Sequence, residues 1–319
     1  MGVTSADVAR HAGLSRATVS QVLNGHSDRF AAGTVKRVLE AARELGYEPS
    51  AAGRMLRTGS SDFVIALIPN TTFGGNLQDI FDTVTDLLAQ HGLTLVLRLS
   101  TQSPSSLDRV IASMRPRAVL SLEPFTETER RVLAERGVPG FDTSTDGEAI
   151  GGDINYEIGR IQTEHLVARG YEQIAFAHLR DRRQDTYGDD REAAVRAVCA
   201  NANLPAPTIV GLQIDLDDAE RALALLEPGF GIVCYNDDVA ITLLSAAARR
   251  GWRVPADIGL IGMDHTPLSQ VTNPRLTTVG YDLAAVARAA AAMTLRALGE
   301  QLPVLAADID LRVIPGEST

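Results

Sequence analysis

The sequence predicts a small all-α head joined to a large α/β body made of two doubly wound parallel sheets. Three observations carry this. Residues 1–60 hold three short helix-period segments and no strand-like run. From Asp62 onward, short apolar runs alternate with amphipathic stretches almost to the last residue. About eleven such runs are too many for one sheet covered by helices, so two lobes are expected.

In the head, the first helix is expected over Ala6–Ala12, with Thr4 or Ser5 as N-cap and Asp7 at the positive end of its dipole. Gly13 supplies the backbone geometry of a tight turn. Ser15 then caps a second helix to about Leu23, where Val19, Val22 and Leu23 face inward. Arg16, Ala17, Ser20 and Gln21 fall on its opposite face, and Asn24-Gly25 ends it. A third helix, Thr34–Leu45, sets Val35, Val38, Leu39, Ala42 and Leu45 on one stripe and stops at Gly46. Two short helices across a glycine turn with a third closing the core make a helix-turn-helix. The same spacing also fits a helical interaction module that never meets nucleic acid.

Charge is unevenly placed. The chain carries −10 overall, which alone argues against a polyanionic partner. Residues 1–60, however, hold eight Lys/Arg against five Asp/Glu, a net of +3, leaving 22 basic and 35 acidic side chains, a net of −13, in the rest. A basic head on an acidic body is the asymmetry expected when one end alone meets phosphate. With 45% hydrophobic and 22% charged residues the composition is that of a folded protein, and 319 residues suit roughly two to three domains. No run of 18 apolar residues occurs, and MGVTSADVARHAG lacks the apolar core of a signal peptide, so a cytoplasmic protein with no membrane contact is expected. Cys199 and Cys234 read as buried reduced thiols.

In the body, the strand DFVIALI is followed by the helix LQDIFDTVTDLLAQHG, which ends at Gly92. Then come LTLVLRL, a helix near Ser105–Met114, RAVLSLE, a helix near Glu127–Arg136, and VPGF. Further strands are QIAFAHL, TIVGLQI, FGIVCYN, DIGLIGM, TTVG and the late IDLRVI. Between them lie helices over Glu157–Arg169, Asp190–Ala200, Asp217–Leu226, Val239–Arg250 and Leu283–Leu298, the last containing the Ala-rich AAVARAAAAM.

DVARHAGLSRATVSQVLNG followed by TVKRVLEAARELGYEPSAAGRMLR closely resembles the N-terminus of the lactose-repressor (LacI/GalR) family of bacterial transcription regulators. The likeness is dense and colinear over about 55 residues. It continues more thinly in DxNxxxGRxxTEHLVxRGYxxIAF, YNDDVA, GWRVPADIGLIGMD and LTTVGYD. The resemblance implies a headpiece over residues 1–47, a hinge helix and linker over 48–60, and an effector-binding and dimerisation domain over 61–319 with the type I periplasmic-binding-protein architecture. Its first lobe would span about 61–152 and 283–302, its second about 155–280 and 303–319, with crossings near Gly152–Asn155, Gly280–Leu283 and Leu302–Val304.

The resemblance also assigns roles. The second helix would lie in the major groove of operator DNA, with Arg16, Ala17 and Gln21 reading bases: the arginine fork suits the O6/N7 edge of guanine, glutamine suits adenine, and alanine can touch a thymine methyl. Ser15, Thr18, Ser20 and Asn24 would hold phosphates or cap helices, contacts that set register rather than read sequence. Arg54 and Leu56 are the DNA-contacting positions of the hinge, Leu56 as an apolar wedge in the minor groove. Gly53 departs from the family's usual alanine, and glycine inside a helix costs about 1 kcal/mol, so the hinge is expected to be loose until it meets a good site.

Ligands of open α/β sheets bind at the carboxyl ends of strands, which points to Pro69-Asn70-Thr71, Glu123-Pro124-Phe125, Tyr235-Asn236-Asp237 and Met263-Asp264-His265. Positions matching the family's effector contacts are Asn76, Leu77, Tyr187, Arg191, Asn236 and Asp264. A guanidinium fork, an amide and a carboxylate suit a small polar molecule such as a sugar or polyol; each of these residues also has an ordinary structural use as a helix cap or inter-strand bond. Leu216 and Leu283 stand where relatives often carry an aromatic platform, which puts a purine in doubt and weakens a simple sugar, although Tyr187, Tyr235, Phe73 or Phe125 could compensate.

Catalysis is not expected. The six histidines (His11, His26, His91, His165, His178, His265) show no metal-ligand spacing, and there is no GxSxG, no GxGxxG after a strand and no phosphate loop. No metal or cofactor is implied. The expectation is a regulator, most readily a repressor, binding a pseudo-palindromic operator as a homodimer and modulated by a small ligand between the lobes. A ligand-independent or corepressor-type regulator is the alternative within that class; a solute-binding protein is the alternative outside it.

Overall fold

The computed structural model describes residues 3–23, 27–47, 60–68, 76–99, 104–121, 124–142, 154–180, 187–300 and 309–319. They form two units, residues 1–63 with 110–117 and residues 64–109 with 118–319.

Among its described residues before 60, the first unit contains the helices α1 (Ser5–Ala12), α2 (Arg16–Leu23) and α3 (Ala32–Glu44), with a 3-10 turn at Ser27–Arg29. Thr4 caps α1 reciprocally: its hydroxyl accepts the Asp7 N–H, and the Asp7 carboxylate accepts the Thr4 N–H at 2.9 Å. Gly13 stops the helix in the left-handed region, φ 64°, where its N–H reaches the carbonyls of Ala9 and Arg10. Ser15 opens α2 by accepting the Thr18 N–H at 3.1 Å. Val8, Val19, Val22 and Val38 form the core with Ala9, Ala41 and Ala42, while Leu23, Val35 and Leu45 pack at its edge. Leu39 does not join them: it is 52% exposed, contrary to the sequence reading. Successive helical residues turn by about 100°, so a stripe centred on Val38, Ala42 and Leu45 carries Leu39 outward and brings Ala41 in. In the same unit, Ser61 donates both its N–H and its hydroxyl to the Arg115 carbonyl, at 2.7 and 3.0 Å.

The second unit holds two sheets, apart from Phe63 and residues 110–114 of the elements below, which fall in the first. β1 (Phe63–Ile68), α4 (Asn76–Ala89), β2 (Thr94–Leu99), α5 (Pro104–Met114), β3 (Ala118–Ser121), α6 (Glu127–Arg136) and β4 (Gly140–Phe141) give a four-stranded sheet in the order β2-β1-β3-β4. β1 pairs in parallel with β3, Val64 beside Ala118, and β3 with β4. α7 (Ile154–Ala168), β5 (Gln173–Leu179), α8 (Gly188–Asn201), β6 (Thr208–Leu212), α9 (Leu216–Leu223), β7 (Phe230–Cys234), α10 (Asp237–Arg250), β8 (Gly259–Met263) and β9 (Thr277–Gly280) follow, and then α11 (Leu283–Ala297) and β10 (Arg312–Ile314). The second sheet runs β10-β9-β8-β7-β5-β6. It is parallel except for β10, which lies antiparallel on β9 with Val313 opposite Val279. An outermost strand has one neighbour only and accepts either direction, which qualifies the all-parallel expectation at this edge.

α11 belongs to the first sheet's core. Val286, Ala287, Ala290, Ala291 and Leu295 pack with Ile80, Phe81, Val84 and Leu88 of α4 and with Val64, Ala66 and Leu120 of the strands. The alanines let the two helices lie close, which explains their density in α11. The second sheet has cores on both faces, one around Ala177, Leu212, Leu243 and Leu260, the other around Ile158, Phe176, Val195 and Val279. Tyr281 packs against the first sheet's core and against the latter. α7 begins at Ile154 rather than at Glu157 and passes so near α8 that Gly159 faces the Arg191 backbone directly. Cys199 and Cys234 are buried free thiols.

Candidate functional site

In the first unit, α2 separates a buried from an open face. Val19 and Val22 are buried, and Ser15, Arg16, Ala17, Ser20 and Gln21 are exposed, with Thr18 between. Ser15 and Thr18 bond each other through their hydroxyls at 2.9 Å as part of the cap. Arg10 lies 3.2 Å from Asp7, and Lys36 lies 3.8 Å from Glu40. Arg16 makes no ion pair among the described residues, so its fork stands open at the start of the exposed face. Asn24, Arg54, Leu56 and Gly53 lie outside the described residues.

The second constellation gathers at the carboxyl ends of β7 and β8. After β7, the Asn236 side chain caps α10 by accepting the Val239 N–H at 3.0 Å. After β8, Asp264 (φ 104°) and His265 (φ 50°) occupy the left-handed region in succession. Two non-glycine residues there store strain of about 1–3 kcal/mol each, so the surroundings must fix them. Asp264 donates its N–H to the Val279 carbonyl at 3.0 Å. The fully buried Asp237 carboxylate accepts from Thr266 N–H at 2.7 Å, Thr266 Oγ1 at 3.0 Å and Thr278 Oγ1 at 2.6 Å, tying the turn to α10 and β9.

Arg191 on α8 is 7% exposed. Its Nε and Nη2 donate to Asn155 Oδ1 at 3.1 and 2.9 Å, Nη1 donates to the Tyr235 carbonyl, and the guanidinium lies 4.9 Å from the Tyr235 ring centroid. Burial pushes the Asp264 carboxyl up to about 7; Arg191 opposes that rise, and the charges of Asp237 and Asp238 add to it. Burial likewise raises the Tyr281 phenol, with the Asp264 charge adding and the Arg191 charge and the Asn76 amide opposing. Asn76, the first residue of α4, donates from Nδ2 to the Asp264 carbonyl at 2.5 Å. A carboxyl near neutrality beside amides and a phenol can both donate and accept, a match for hydroxyl-rich molecules. Among the described residues no group of three His, Cys, Asp or Glu is placed to hold a metal ion, and no helix is long and apolar enough to cross a membrane.

Residues 4–50 match the model of bacterial regulatory proteins of the lacI family, and residues 163–319 match that of the periplasmic binding protein-like domain. The HTH-type transcriptional regulator GntR of Pseudomonas aeruginosa is 31% identical, over 98% of this chain and 94% of its own length. The chain belongs to the LacI family. A second relative of this LacI-family regulator, the ribose operon repressor of Halalkalibacterium halodurans, is 30% identical over 89% of the chain and 87% of its own length. Among solved structures, the Lac repressor dimer bound to operator and the anti-inducer ONPF has the same fold, with a TM-score of 0.79 at 21% identity, covering 100% of this chain and 99% of that one. Membership makes the LacI-family chain a transcriptional regulator rather than an enzyme.

Of the ligand positions expected in this LacI-family chain, Asn76, Arg191 and Asp264 come together, with Asn236 next to the Tyr235 carbonyl that Arg191 bonds. Leu77 and Tyr187 are half-buried and pack against the cores of the first and second sheets respectively. Phe125 is buried, its N–H donating to Asp142 at 2.6 Å. Pro69, Asn70, Thr71, Phe73 and Glu123 fall outside the described residues. Sequence reasoning missed Asn155, Tyr281 and Asp238 as neighbours of the site. Both Tyr281 and Asn155 carried a positional signal, each lying in an expected crossing, Gly280–Leu283 and Gly152–Asn155; that Asn155 meets Arg191 appears only once α7 meets α8.

Proposed function

We propose that the protein is a repressor that binds a pseudo-palindromic operator as a homodimer in the cytoplasm, with DNA affinity set by a small polar, sugar-like ligand between the lobes. The open face of α2 carries this reading. Arg16, Ala17 and Gln21 stand exposed on a helix whose other side is locked into the core by Val19 and Val22, the arrangement a major-groove reader needs. Ser15, Thr18, Ser20 and Asn24 serve phosphate contact and capping, and Arg54 and Leu56 serve the hinge. Residues 1–47 act as headpiece, 48–60 as hinge and linker, and 61–319 as sensor. Two-fold protein symmetry imposes half-sites about one helical turn apart. The relative named for a ribose operon and the polar cluster of Asn76, Arg191, Asn236 and Asp264 support a sugar-like effector.

Binding of the full chain to the gene's own upstream DNA tests this reading by gel shift. Specific retention is expected, weakening steeply with salt; no specific complex even at low salt would overturn it. Thermal-shift screening of the full chain against sugars, polyols and small acids tests the effector class, and a flat response across all three would favour a ligand-independent regulator.

A further inference from the structure

Asn76 and Asp264 belong to different sheets, yet they touch. Asn76 begins α4, which is packed into the core of the first sheet, while Asp264 lies in the turn after β8 of the second. The Asn76 amide nitrogen has two hydrogens. One goes to the Asp264 carbonyl at 2.5 Å, and the same amide lies near enough to the Tyr281 hydroxyl to favour its ionised form. Tyr281 is packed against the cores of both sheets at the point where the chain passes from β9 into α11.

We infer that Asn76, the Tyr281 hydroxyl and the Asp264 carbonyl form a clasp that holds the two lobes together. Three features fit that role. The clasp is made of the chain's own neutral groups, so closure needs no outside charge. The carbonyl it grips belongs to a residue at φ 104°, and losing the bond removes one restraint on a strained turn. The phenol beside Asn76 sits where the chain crosses between lobes, so a change at Asn76 acts directly next to the crossing. Asn76 acts here as a donor only: an acceptor of the same size would face the Asp264 carbonyl with like polarity. The link from clasp to DNA rests on the regulator reading above; the clasp itself does not.

Hydrogen exchange on the full-length protein tests the clasp directly. Asn76→Ala and the isosteric Asn76→Asp are both expected to raise exchange of amides near Asp264–Ser269 and Tyr281–Ala285 by about tenfold. Tyr281→Phe, which keeps the ring, should give a smaller rise at the same amides. Thr83→Ala, on the same helix, should give none there. Wild-type exchange in Asn76→Asp overturns the proposal, and so does a rise spread evenly over the whole body. Titration with the gene's own upstream DNA supplies the second arm, where Asn76→Asp should change affinity at least threefold. Unchanged affinity beside a tightly binding wild type overturns the link to DNA; a wild type that does not bind overturns the regulator reading, and exchange still decides the clasp.

Discussion

Gly159 and Arg191 meet backbone to backbone where α7 crosses α8: a Cβ at Gly159 would lie 2.9 Å from Arg191 Cα and nearer still to its carbonyl oxygen. Backbone cannot yield as a side-chain tip does, so the helices would have to part. Parting them would draw the Arg191 fork from the Asn155 oxygen that receives both Nε and Nη2. Gly159→Ala is therefore expected to cost about 1–3 kcal/mol of stability. At this size that lowers the melting midpoint by about 2–10 °C, and effectors found by thermal-shift screening should bind less tightly. A wild-type melting curve would show that the contact is softer than its geometry indicates.

Asp264 gives a pH signature. Its carboxyl is raised from 3.8 to about 7 chiefly by burial, so between those values the folded protein keeps a proton that the unfolded chain has lost. Stability from this group is therefore full below pH 4 and lost as pH rises to about 7, at up to about 1.4 kcal/mol per pH unit. Asp264→Asn removes that slope. Melting midpoints from pH 4 to 8 should converge on a flatter profile than wild type in the acidic range; parallel profiles would show that Asp264 ionises normally.

For Arg16, the expectation concerns discrimination more than grip. Arg16→Ala should reduce preference for operator over unrelated DNA by about 1–3 kcal/mol, roughly five- to hundredfold, mainly at one base position of each half-site. Competition binding with single-base operator variants measures it. Uniform weakening at every position would assign Arg16 to phosphate instead.

Gly53→Ala tests the hinge. Alanine favours a helix by about 1 kcal/mol over glycine, so operator binding should tighten about fivefold per chain. Binding titrations with wild-type and variant protein decide it, and unchanged or weaker binding would mean that helix formation at Gly53 does not limit affinity.

Much of the fold was legible because it rests on local chemistry. Thr4, Gly13 and Ser15 mark helix ends with their own side chains or backbone freedom, and QIAFAHL is the strand Gln173–Leu179 residue for residue. Leu39 was misplaced because a stripe read from apolar residues alone cannot tell Leu39 from Ala41 until the neighbouring helices fix its centre. The site was legible in its parts but not in its wiring. Asp264 stood out at a strand end and Arg191 through the family resemblance, whereas Asn155 and Tyr281 matter through partners 36 and 17 positions away, Arg191 and Asp264 respectively. Gly159 showed in the sequence only as one letter of a family-like phrase, because what excludes a side chain there is another helix.

α11 lies in the core of the first sheet, yet the chain returns after it to lay β10 on the second. Neither half is thus an unbroken stretch of polypeptide, and the two are woven rather than strung. A woven body is expected to melt in one transition, so that stabilising a handful of side chains at the seam raises the midpoint for both halves together. It also means that no single cut of the gene would yield one half as a self-sufficient fragment.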